Sequence, residues 1–87
     1  MSDRANFEYF SYEYAQALQA FTAIGNQAST IVAFGASDDL RVFVDQFIEM
    51  ASRTKALAEE QEEPHFVEWF DELIRKAETL RGEIVRQ

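Results

Sequence analysis

Glu59, Glu60, Glu62, Glu63, Glu68, Asp71 and Glu72 fall within residues 59–72, a stretch with no Lys or Arg, and His65, the single histidine, sits among them. Carboxylates and imidazole at this density suit three kinds of chemistry: proton transfer, metal ligation and attraction of a cationic partner. Proton transfer needs one carboxylate set apart from its neighbours by environment, and a run of acids singles none out. Nucleophilic chemistry has little to work with. There is no cysteine, so no thiolate can attack a carbonyl, hold a metal or close a disulfide. A Ser–His–acid triad would have to use His65, and no serine lies in the strand–turn–helix setting such a nucleophile occupies. Gly25, Gly35 and Gly82 are isolated, which excludes a P-loop or dinucleotide fingerprint. The expectation is a non-enzymatic protein with no cofactor.

Metal ligation has one motif to argue from. Glu62-Glu63-Pro64-His65 contains a Glu-x-x-His spacing, which di-iron helical bundles use twice to point ligands inward from one helical face. In these residues the chain is similar to ferritin-like half-bundles, and the resemblance implies a metal site assembled in an oligomer around Glu62 and His65, with Glu8 or Glu13 as further ligands. Pro64 departs from that pattern. A proline belongs in the first turn of a helix, which leaves Glu62 outside it and His65 facing solvent near a helix start. The leading expectation is therefore no metal.

The third chemistry depends on what stands beside the acids. Phe7, Tyr9, Phe10, Tyr12 and Tyr14 put five aromatics into eight residues, on more faces of a helix than one core can take up. If that segment lies next to Phe66, Trp69 and Phe70, an acidic, aromatic-rich end results. Its members are Tyr9, Tyr12, Glu59, Glu60, Glu62, Glu63 and Trp69, and it would bind a protein partner carrying basic groups. Nucleic acid is not expected as that partner. Sixteen Asp and Glu against eight Lys and Arg give a net charge of −8, the wrong sign for a phosphate backbone.

Three helices can bring those segments together. From Phe7 the apolar positions Phe7, Phe10, Tyr14, Ala17, Phe21, Ile24, Ala28 and Ile31 step by three and four. The register holds across Gly25-Asn26, so one helix over about residues 4–34 is expected, stopped by Gly35. Ser37 with Asp38 and Asp39 reads as the capped, acidic start of a second helix to about residue 62. Its seam is Leu40, Phe43, Phe47, Met50, Thr54 and Leu57, broadened by Val44, Ala51 and Ala58. Phe66, Phe70, Leu73, Ala77, Leu80 and Ile84 mark a third helix over about residues 65–86, with Lys76, Arg81 and Arg86 suiting its C-terminal half. Eighty-seven residues make one domain, and the expected fold is an all-α, up-down-up three-helix bundle.

One stretch sets the expected assembly. Tyr14 to Ser37 is 24 residues without a charge. It holds Gln16, Gln19, Thr22, Asn26, Gln27, Ser29 and Thr30, too polar for a membrane span. An outer helix normally shows Lys, Glu and Arg to water, whereas interface cores are poor in charge and rich in aromatics. The expectation is a homodimer, a dimeric helical bundle joined through Tyr14, Ala17, Phe21, Ile24, Ala28 and Ile31. A second use of such a surface is to coat an apolar phase. Ser37–Glu60, an Asp-rich start followed by a Phe, Ala and Leu stripe, resembles in composition the phasins that coat storage-polyester granules. That resemblance implies an amphipathic granule-coating protein. No basic region followed by an apolar run opens the sequence, so a cytoplasmic location is expected.

Overall fold

The structure is a computed structural model that describes residues 2–35 and 37–85. It contains α1 (Ser2–Ala33), α2 (Ser37–Glu60) and α3 (Pro64–Val85), with no strand among the described residues. The expected three-helix bundle is what the chain forms. At 1.5 Å per residue the helices are about 48, 36 and 33 Å long, so α1 sets the 49 Å length of a rod 17 by 15 Å across. No helix among the described residues is long and apolar enough to cross a membrane. Arg86, expected in the last turn of α3, lies outside the described residues.

α1 runs unbroken through Gly25-Asn26. A helix interior tolerates Gly and Asn at a cost of under about 1 kcal/mol each relative to Ala, and the apolar seam outweighs that locally. Gly35 adopts φ +76°, the left-handed conformation that ends a helix cheaply only at glycine. α2 then starts at Ser37 with Asp38 and Asp39 in its first turn.

The core is built of Phe10 and Ala17 from α1, Leu40, Val44, Phe47, Ala51 and Ala58 from α2, and Phe66, Phe70, Leu73, Ile74, Ala77 and Ile84 from α3. α2 and α3 share the most extensive contact, and α1 lies more lightly on both. Small residues decide how close the helices come. Ala51, Ala58 and Ala77 are fully buried in the core they share with Phe10, Phe47 and Phe70, and side chains that small allow close approach of the backbones. Two ion pairs tie the α2–α3 hairpin. Lys55 Nζ donates to Asp71 Oδ1 at 2.9 Å and Arg81 Nη1 to Asp45 Oδ1 at 3.0 Å, and both pairs lie symmetrically about Glu63 in sequence.

The seam of α1 faces this core. Ala17 is 2% exposed, while Tyr14, Phe21, Ile24, Ala28 and Ile31 are half-buried against the chain's own core. A stripe stepping by three and four is first of all the side a helix turns to its nearest neighbours, and here those are α2 and α3. In α2 the seam residues Leu40 and Phe47 and the broadening residues Val44, Ala51 and Ala58 form the buried stripe. Phe43 and Met50, expected in the seam, are exposed.

Candidate functional site

The acidic end is made by one tight corner. Glu62 N–H donates to the Glu59 carbonyl at 3.2 Å and Glu63 N–H to the Ala58 carbonyl at 2.9 Å. This pair of bonds is a Schellman motif, and it requires the residue after the helix to be left-handed. Glu62 occupies that position with φ +58°, where glycine is the usual choice. The carbonyl of Glu63 then accepts from Phe66 and Val67 N–H at 3.1 Å, so Glu63 caps α3 while Pro64 takes its first turn. Two helix ends are thus satisfied by three connecting residues.

Around this corner Glu59, Glu62, Glu63 and Glu68 stand over an apolar floor of Pro64 and Val67, lining an open cavity of about 520 Å³. Six acids elsewhere have cations beside them: Glu8 with Arg4, Asp38 with Arg41, Glu49 with Arg53, Asp45 with Arg81, Asp71 with Lys55 and Arg75, Glu72 with Lys76; Glu13, Asp39, Glu60, Glu78 and Glu83 have no ion pair among the described residues. The four carboxylates of the corner have no ion pair among the described residues. Carboxylates of one sign around a shared depression attract a cation.

The aromatics gather at the same end of the bundle. Asn6 Nδ2 of α1 donates to Gln61 Oε1 at 3.3 Å, which fixes the start of α1 beside the corner. Phe66 takes Phe7 and Phe10 at centroid distances of 5.7 and 5.6 Å, and Tyr14 packs on Trp69 at 5.4 Å and on Phe70 at 5.5 Å. Trp69 remains 46% exposed and lines a second depression, about 440 Å³, with Glu68, Glu72 and Arg75. Glu68 belongs to both depressions and joins them.

The expected acidic and aromatic residues divide on this surface. Glu59, Glu62 and Glu63 share the cavity, Trp69 lines the neighbouring depression, and Glu60 is exposed outside both. Tyr12 is exposed on α1, and Tyr9 lies over Phe10 at 5.0 Å with burial and the Glu13 carboxylate holding its phenol above the ordinary range. Neither tyrosine lines the cavity. Pro64, Val67 and Glu68 complete it without having been marked as site residues in the sequence. Their signal was present, since a proline in a first helical turn places the third and fourth residues after it on its own side.

The Glu-x-x-His spacing spans the corner. Glu62 lies between the helices and His65 is exposed one residue into α3, so the two do not share a helical face. No group of three or more His, Cys, Asp or Glu side chains is arranged to hold a metal ion among the described residues. Comparison with family models, curated proteins and solved structures gives no significant match.

Proposed function

We propose that this chain is a small non-enzymatic interaction protein that self-associates and binds a basic protein partner at the α2–α3 corner. One observation carries the reading: four carboxylates with no ion pair among the described residues stand together around an apolar floor of Pro64 and Val67. An apolar floor ringed by acids suits a Lys or Arg side chain, whose methylene stem packs on the floor while its head meets the carboxylates. Exposed Trp69 beside Glu68 and Glu72 adds a ring face for a second cation.

The test is isothermal titration with a Lys/Arg-rich amphipathic peptide at low and physiological ionic strength. Binding to the parent chain should weaken as salt rises. A chain carrying Glu59→Gln, Glu63→Gln and Glu68→Gln together should bind at least about tenfold more weakly and with a shallower salt dependence. Equal binding by the parent and the triple variant would refute the corner as the contact.

A further inference from the structure

Along α2, Asp39, Phe43, Gln46, Met50, Arg53 and Leu57 step by four and three, the spacing of a single helical face. That face is open. Phe43 is 52% and Met50 46% exposed, Asp39, Gln46 and Arg53 are exposed, and Leu57 is half-buried. Phe47, four residues after Phe43 and three before Met50, packs on Phe21 of α1 at 5.6 Å. Asp45 and Lys55 instead reach Arg81 and Asp71 of α3. The stripe therefore lies on the side of α2 beside α1 and away from α3, next to the charge-free stretch from Tyr14 to Ser37.

The order of the stripe is what distinguishes it from a scattering of exposed apolar residues. Read forwards from Asp39 it runs acid, aromatic, amide, thioether, base; read backwards from Arg53 it runs base, thioether, amide, aromatic, acid. Asp39 and Arg53 are each seven residues from Gln46, about 10.5 Å along the helix. Two copies laid antiparallel with Gln46 at the centre put Asp39 opposite the partner's Arg53. They bring Phe43, three residues from Gln46, within one residue of facing the partner's Met50, four residues from it, close enough for a sulfur–aromatic contact, and the same pairs recur on the other side of the axis. Arg53 also pairs with Glu49 one turn earlier, which leaves further guanidinium donors for the partner's Asp39.

We propose that this face joins two copies of the chain antiparallel about a two-fold axis passing near Gln46. The proposal rests on the self-association inferred above and assigns its surface: the stripe of α2 with the neutral flank of α1, in place of the inward seam of α1. Size agrees with it. The stripe from Asp39 to Leu57 runs about 27 Å of helix, more than half of the 49 Å length of the molecule. Charge agrees as well. With −8 on each copy, antiparallel packing sends the two acidic corners to opposite ends, beyond a screening length of about 10 Å. An acid at one end of the stripe and a base at the other also select a partner of matching order over a featureless apolar phase.

Sedimentation equilibrium tests this. The parent chain should be a dimer at high micromolar concentration. Asp39→Arg and Arg53→Asp should each raise the dissociation constant by roughly tenfold or more, by setting like charges opposite each other. The two substitutions together should restore dimerisation towards the parent value. Phe43→Lys with Met50→Lys should leave a monomer with the parent's helical circular dichroism, because both side chains are exposed in the single chain. A parent dimer indifferent to all four changes would overturn this face while leaving self-association standing. A parent chain that stays monomeric would overturn both, and adsorption of that monomer to apolar vesicles through Phe43 and Met50 would replace them with the coating role.

Discussion

Asp71 shows how position separates the acids of one run into different roles. Lys55 and Arg75 both donate to its carboxylate and hold it below the usual carboxylate range, an effect that outweighs its partial burial. A lowered pKa means that the folded state holds the proton less tightly than the unfolded state does. The resulting stability is present above the unfolded carboxylate range and is lost as pH falls through the folded value. Asp71→Asn should therefore lower the melting temperature at neutral pH, and the gap from the parent should close as pH drops below the ordinary carboxylate range. Thermal melts across pH decide it; a gap independent of pH would contradict the assignment. Seven acids within residues 59–72 are plain in the sequence, but which of them acquires a cation is not. Lys55 lies 16 positions from Asp71 and meets it only because α2 folds back on α3.

At the scale of elements, the corner between α2 and α3 is the part most open to improvement. Glu62 holds a left-handed conformation that costs a residue with a Cβ roughly 1–2 kcal/mol, and glycine avoids that cost while giving back part of it as unfolded-chain entropy. Glu62→Gly should stabilise the chain by about 0.5–1 kcal/mol, a rise of several degrees in melting temperature for a domain of this size. Calorimetry would show it, and an unchanged or lower melting temperature would mean that the corner does not hold the Schellman geometry. The three helices and their order were legible from spacing alone, and Gly35 announced its own turn. Glu62 did not, because a left-handed glutamate has no signature in sequence. α2 was ambiguous for a related reason. Its stripes Leu40, Val44, Phe47, Ala51 and Phe43, Met50, Leu57 obey the same spacing, so only the placement of α1 and α3 tells which one is buried.

On the whole molecule, charge is arranged by region. Four carboxylates with no ion pair among the described residues crowd the corner, two ion pairs join α2 to α3, and the uncharged stretch of α1 adjoins the exposed stripe of α2. Within that stretch the apolar seam Tyr14, Phe21, Ile24, Ala28 and Ile31 packs against the chain's own core, because the apolar residues that mark a seam are those a core takes up first. The proposed assembly is an antiparallel pair of 49 Å rods with an acidic corner at each end. Because the chain has no cysteine, one introduced thiol reports that geometry directly. On a two-fold axis, Gln46→Cys brings two thiols close enough for a disulfide, whose Cα separation is about 4.4–6.8 Å. Mild oxidation should convert Gln46→Cys almost entirely to a covalent dimer and leave Thr79→Cys, on α3, as monomer. Failure of Gln46→Cys to cross-link, with Thr22→Cys on α1 cross-linking in its place, would contradict it.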